Sequence, residues 1–307
     1  MRLMLLLTAF ALSLTAATHY ITIAGLGGEP DFEQRFAGWA QTIDQVLRSS
    51  RTDAKIETLS GPDATHNRIR EVIGKAAEDC GPEDALVLML IGHGSYDEYD
   101  YKFNLPGPDI TASELASLLN SVRAGRQLVV NMTSASGGSL AALRKENRIV
   151  ITATKSGTEK NTTIFARYWA EALRDPAADT DKNEAVTALE AYRYAIQKTA
   201  AFYDSQKRLA TEHPLLEDTG RGEGARAPSL EDGEGRLAAA FTLLRFGAAQ
   251  AAAKDPAKQK FLARKEQIEQ RIDNLKYQKA AMPLDEYKKQ LSALLIDLAR
   301  TQEELDK

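Results

Sequence analysis

The sequence predicts an α/β fold: three layers built on a mainly parallel sheet, with a helical hairpin appended at the C-terminus. Two observations carry that expectation. Short apolar runs of strand length alternate with segments of helix length whose apolar residues recur every three or four positions. Several apolar runs end in glycine-rich turns, at Gly25-Leu26-Gly27-Gly28, Gly92-His93-Gly94 and Gly137-Gly138. Strands joined by helix-length crossovers pair in parallel and need helices on both faces.

Met1–Ala17 has one early cation, Arg2, then an apolar run from Leu3 to Leu14 and a small-residue end, Thr15-Ala16-Ala17. That pattern predicts a signal peptide, too short to span a bilayer as a stable helix, with an uncleaved anchor as the alternative reading. The mature chain is therefore expected to be exported, periplasmic or secreted, with no membrane span. The only cysteine among the 307 residues is Cys80, so no intrachain disulfide can form.

The α/β domain is expected over 18–216. Tyr20–Ala24 reads as the first strand, and Phe32–Leu47 as a helix with Phe32, Phe36, Trp39, Ile43, Val46 and Leu47 on one face. A strand follows at Lys55–Leu59, then a helix at Asn67–Ala77. Asp84–Ile91 (DALVLMLI) is a buried strand, and Thr111–Val122 a helix with Thr111 and Glu114 placed as a capping box. Gln127–Met132 (QLVVNM) is the next strand, followed by a short helix at Ser139–Lys145, a strand at Arg148–Thr154 and a helix at Thr162–Leu173. Glu184–Leu209 reads as one long helix.

Residues 217–235, rich in glycine, proline and charge, predict a surface loop. The helical extension covers 236–307, beginning with a helix at Arg236–Ala253. Within 257–306, two apolar 3-4 patterns flank Pro283, which can begin a helix but not continue one. They predict a hairpin zipped on itself, or a coiled-coil surface for self-association or a protein partner.

Composition is that of an ordinary globular protein, 43% hydrophobic and 27% charged. A formal net charge of −4 argues against a nucleic-acid binder, which would show a basic stripe. The four histidines, His19, His66, His93 and His213, form no H-x-x-x-H pair, so a zincin is not supported. The Gly25–Gly28 turn lacks the third glycine of a dinucleotide fingerprint.

In parallel sheets the ligand site lies beyond the carboxyl ends of the strands. Gly25, His93, Ser134 and Ser156 all fall there. His93 sits between two glycines that leave backbone N–H groups free, so Gly94 can line an oxyanion site. Ser134-Ala135-Ser136-Gly137-Gly138 is a small-residue turn between strand and helix. It also resembles a degenerate nucleophile elbow centred on Ser136, for which only His213 follows as a base.

Three segments together resemble the legumain-like peptidases, relatives of the caspases: Ile91-Gly92-His93-Gly94-Ser95, Thr133-Ser134-Ala135-Ser136-Gly137, and Ala24-Gly25 followed by Arg35. The resemblance runs from about Tyr20 to about Ala210 and extends through Ala210-Thr211-Glu212-His213-Pro214-Leu215-Leu216, which is similar to a segment of bacterial members. It implies the caspase/legumain-like version of the three-layer fold and peptide-bond hydrolysis. His93 matches the catalytic histidine and Ser134 the catalytic cysteine. Ser136-Gly137 matches the Ser-Gly after the nucleophile, and Arg35 an arginine of the specificity pocket, which Ser156 helps to shape. Where the family has an acidic residue two before the nucleophile, this chain has Met132.

Cysteine-to-serine is a large chemical change. A thiol beside an imidazolium ionises readily, whereas an alcohol must hand its proton to a base during attack. A serine hydrolase also wants a carboxylate behind its histidine, and Asp97 and Asp100 are merely near in sequence. Two readings follow: a peptidase using Ser134 with His93 as base, or a catalytically inactive pseudopeptidase that binds peptides or partners. A minor third is a serine esterase using Ser136. Cys80 precedes the strand that His93 follows, about seven residues at ~3.3 Å each away, and so belongs to the opposite sheet edge.

No organic cofactor is implied. Asp179, Asp181, Asn183 and Glu190 occupy positions 1, 3, 5 and 12 of an EF-hand-like Ca2+ loop, with Val186 at position 8. Position 6, normally glycine for a sharp turn, is Glu184, which favours an acidic helix N-terminus capped by Asn183.

Overall fold

The computed structural model describes residues 17–50 and 54–307, so nearly all of the expected signal peptide lies outside the described residues. The strands are β1 (Thr18–Ala24), β2 (Ala54–Leu59), β3 (Ala85–Ile91), β4 (Gly94–Tyr96), β5 (Tyr101–Phe103), β6 (Ile110–Thr111), β7 (Arg126–Asn131), β8 (Arg148–Thr152), β9 (Ala185–Thr187), β10 (Leu215–Glu217) and β11 (Thr242–Arg245). The α-helices are α1 (Pro30–Ser50), α2 (His66–Asp79), α3 (Ala112–Ser121), α4 (Leu140–Leu143), α5 (Phe165–Ala172), α6 (Ala188–Ser205), α7 (Arg236–Ala239), α8 (Gly247–Lys254), α9 (Gln259–Gln278) and α10 (Leu284–Asp306).

A six-stranded sheet in the order β10-β8-β7-β3-β1-β2 forms the centre. Every pairing is parallel except β10 on β8. The alternation of side chains along each strand separates two cores. Tyr20, Val87, Met89, Leu128, Val130 and Ile151 point to one face, where Phe36, Ile43 and Leu47 of α1 and Phe165 and Trp169 of α5 cover them. Ile21, Ile23, Leu86, Leu88 and Val129 point to the other, beneath Ile69 and Ile73 of α2 and Leu115 and Leu119 of α3. The mainly parallel sheet with helices on both faces is thus as the periodicity predicts.

Strand order reverses between β1 and β3, so the turns after these two strands flank the switch point where α/β sheets open a crevice. An unanticipated three-stranded sheet, β4-β5-β6, fills the connection between β3 and α3 and lies against that edge. Its strands are two or three residues long, too short for any periodicity to register.

Three other segments differ from expectation. The expected helix 184–209 begins instead with β9, because Val186 and Thr187 pair with β11, and α6 starts only at Ala188. There Thr187 and Glu190 make a full capping box. At Thr111 only half the box forms, since Glu114 turns its carboxylate to His66 (2.9 Å) and Arg70 (2.6 Å). The expected helix 236–253 is broken into α7, β11 and α8; Phe241, Leu243 and Leu244 are all buried, a strand-like demand that the surrounding alanines hide.

Residues 218–235 hold no strand or α-helix, and buried acids pin the segment. Asp218 accepts from Gly235 N and Ala238 N, and Glu217 from the Thr219 and Gly222 amides. Beyond it α9 and α10 form a hairpin: Ile268, Ile272 and Leu275 pack on Leu294, with Met282, Tyr287, Leu291 and Leu298 around them.

Candidate active site

His93 hangs from the end of β3 on Gly92, whose φ of +148° suits glycine and whose open side abuts Phe103 and Gly25. Gly25 is equally constrained: a Cβ there would stand 2.5 Å from the Asn104 carbonyl. The His93 ring is wedged edge-on between Phe32 (5.0 Å) and Phe36 (5.1 Å) of α1. Burial pushes its pKa below the ordinary histidine value, against a hydrogen bond with the Gly27 backbone and the charges of Glu29 and Glu33. The imidazole is therefore neutral at pH 7, the form a base requires.

β7, the neighbour of β3, delivers Ser134 to the same edge. Ser134 is 2% exposed. Its hydroxyl donates to the Gly94 carbonyl (3.0 Å) and accepts from the Gly94 N–H (3.1 Å). Both functions of the alcohol are thus spent on the N–H and the C=O of one residue, Gly94, and the N–H expected to serve an oxyanion is held by Ser134. Among the described residues no hydrogen bond joins Ser134 or Ser136 to His93 or His213.

Beneath this contact lies a polar network that the sequence did not announce. Tyr101 of β5 bonds to Thr133 Oγ1 (2.5 Å), Thr133 donates to Asn131 Oδ1 (2.8 Å), and Asn131 Nδ2 donates to Ser139 (3.0 Å). All four are buried, and burial holds the Tyr101 phenol well above its usual pKa range. Met132, two residues before Ser134, is buried in the apolar core. The signal for the network was an Asn-Met-Thr-Ser run at a strand end, whose partner tyrosine is about 30 residues upstream.

Ala135 takes the left-handed conformation (φ +55°), an unfavourable state for a residue with a Cβ, and turns the chain sharply between the two serines. Ser136 is fully buried and meets Thr154 Oγ1 (3.2 Å) and Thr154 N (3.1 Å). Gly137 touches the Lys155–Ser156 backbone so closely that any Cβ would overlap it. Ser156, half-buried, pairs its hydroxyl with Thr158. Gly138 and Gly157 form a seat for the ring of Tyr96, which roofs this side of the turn. Arg35 is exposed on α1, its guanidinium 5.8 Å from the Phe32 ring that holds His93 and loosely paired with Asp31 (3.8 Å).

A second histidine reaches the same turn from the other flank. His213, just before β10, bonds through Nδ1 to Glu159 (2.5 Å), and the Glu159 carbonyl accepts from Ala135 N (2.8 Å). Next to it Glu212, 1% exposed, accepts from Ile164 N, Phe165 N and Tyr203 OH. Burial raises Glu212 to about 7 despite those donors. The carboxylate partner that the Ser136 reading lacked is thus Glu159, but Ser136 itself stays closed on Thr154. Asp97, by contrast, is bound to Lys102 (2.8 Å) and to backbone of its own turn.

Asp179, Asp181 and Glu190 bring carboxylate oxygens within 4.8 Å of one another. Glu184 adopts φ +68°, so the sharp turn forms without glycine, contrary to the expectation that it is lost. Asn183 N and Glu184 N both donate to Asp179. These oxygens could hold a hard cation such as Ca2+; Glu190 otherwise spends its carboxylate on Thr180 and Thr187. Cys80 lies at the amino edge of the sheet, buried, with its thiol pushed up to about 11 by burial, and takes no part in the cleft.

No protein-family model and no curated protein matches the chain. Among solved structures it is similar to protein GSU0716 from Geobacter sulfurreducens, a structural-genomics target, at 13% identity and a TM-score of 0.44, covering 66% of this chain and 93% of that one.

Proposed function

We propose that the chain is an exported protein of the caspase/legumain-like fold that binds a peptide or protein segment at the carboxyl edge of its sheet without cutting it. The observation that carries this reading is the closure of the Ser134 hydroxyl on the Gly94 peptide. A serine nucleophile must pass its proton to a base within about 2.6–3.2 Å. Here that proton rests on a carbonyl, the serine is almost fully buried, and His93 is fixed by two phenylalanine rings instead. The exposed Arg35, beside Phe32, supplies a cation and an aromatic face for an acidic or amide side chain of the bound segment.

The rival is a peptidase that uses Ser134 with His93 as base. A fluorophosphonate probe and a peptide library applied to the wild type, Ser134→Cys, Ser134→Ala and His93→Ala separate the two. We expect no labelling and no turnover in the wild type, with peptides retained on the immobilised protein and released by Arg35→Ala. Labelling of Ser134 that is lost in His93→Ala overturns the binding reading.

A further inference from the structure

The opposite, amino edge of the sheet holds a cluster that the cleft does not use. Parallel pairing of β1 with β3 brings His19 beside the start of β3, where Asp84 precedes Ala85, and Cys80 caps the end of α2. A ring nitrogen of His19, the Cys80 sulfur and a carboxylate oxygen of Asp84 lie within 4.8 Å of one another. His19 is 5% exposed and Cys80 1% exposed, and among the described residues His19 Nε2 is buried without a hydrogen-bond partner. Buried polar atoms are almost always paired, so an orphaned nitrogen on a histidine that shares this cluster with a thiol and a carboxylate points to a missing partner.

We propose that His19, Cys80 and Asp84 form a three-ligand site for a thiophilic divalent cation of the zinc type. One nitrogen, one sulfur and one oxygen are the donors such an ion takes, with a fourth tetrahedral position left for water. Ligand bonds of about 2.0–2.3 Å need donor atoms about 3.3–3.8 Å apart, a contraction of at most ~1.5 Å for atoms within 4.8 Å of one another. Asp84 is already oriented: one of its oxygens accepts from Gly81 N (2.8 Å) and keeps a lone pair, and its half-buried position gives the ion a way in. On binding, the Cys80 S–H bond breaks, its proton passes to solvent, and the thiolate forms the metal–sulfur bond. The adjacent cation, Lys55, is drawn off to Asp79 (2.9 Å). A catalytic Cys-His-Asp reading fits less well, because burial disfavours the thiolate and seals the sulfur from any substrate.

The test uses the full mature chain without a histidine tag, stripped with chelator and titrated with Zn2+ against a chromogenic competitor, and separately with Co2+. We expect one equivalent of Zn2+, a cobalt–thiolate charge-transfer band, and a melting temperature that rises with Zn2+ and falls back with chelator. Cys80→Ser should lose the band, and His19→Gln should weaken binding about 100-fold or more. Zn2+ binding no tighter in the wild type than in a variant carrying both Cys80→Ser and His19→Gln overturns the proposal. So does a cobalt complex of the wild type without the thiolate band, a result that needs no variant to fold. Peptide retention at the far edge of the sheet is a separate readout, so either proposal can fail alone.

Discussion

Truncating Ser134 to alanine asks whether its hydroxyl is a tie or a nucleophile. In the structure that hydroxyl satisfies the N–H and the C=O of Gly94 at 3.1 and 3.0 Å from a position 2% exposed. Removing it leaves a donor and an acceptor without partners, each costing about 1–3 kcal/mol when fully buried. Gly94 is half-buried, so one of the two groups can turn to water, and the expected loss is about 2 kcal/mol. At about 2–4 °C per kcal/mol for a domain of this size, the melting temperature should fall by about 4–8 °C. Urea unfolding followed by far-ultraviolet circular dichroism should show a lower midpoint with an unchanged slope. Ser134→Cys, a poorer donor and a bulkier atom, should also destabilise. A Ser134→Ala protein as stable as the wild type, or more so, would refute the tie; gained stability is what residues kept for chemistry often give up.

Four further outcomes follow from particular contacts. Gly157→Ala places a Cβ 2.3 Å from Tyr96 Cγ, near the stiff base of that side chain, and should cost about 1–3 kcal/mol, read in urea and as a changed near-ultraviolet spectrum. Burial raises Glu212 and Glu269 to about 7, above the 4.5 of an unfolded glutamate; such groups favour the folded state below pH 4.5, and that stability is lost as pH rises through 7. Glu212→Gln should remove up to about 3 kcal/mol of the decline between those values, and a stability profile flat over this window contradicts the argument. Asp181, raised to about 6 by burial and then by Glu190, lies on an exposed residue, so Asp181→Asn should stabilise the metal-free protein at pH 7 by only about 1 kcal/mol, measured by urea midpoint. Leu294→Ala should open the α9–α10 hairpin by about 2–4 kcal/mol, visible as faster amide exchange there while β3 and β7 keep their protection.

The sheet was legible because each of β1, β3, β7 and β8 is a buried run with apolar residues on both faces, the pattern that a doubly covered parallel strand imposes. The hairpin was legible because its apolar 3-4 spacing persists on both sides of Pro283. Short antiparallel pieces were not: β4, β5, β6 and β9 are too brief to show a period, and their positions are fixed by partners far along the chain. The left-handed turn at Glu184 escaped for a different reason. Glycine is the usual residue there, but the Asp179 carboxylate and the β9–β11 ladder hold a glutamate in the same conformation.

The carboxyl edge shows why position and chemistry must be argued separately. Sequence order placed His93 and Ser134 at the ends of strands that prove to be neighbours, since β3 pairs directly with β7. It could not say where a hydroxyl proton points. That depends on Gly94 lying against the Ser134 backbone, with Tyr101 behind both, a packing in which any Cβ on Gly94 would sit 2.4 Å from the tyrosine ring. A thiol is a weak donor and a weak acceptor, and would hold that peptide less firmly than an alcohol does. Serine at this position is therefore a structural tie. It ties the β3 turn to the β7 turn through both backbone groups of Gly94.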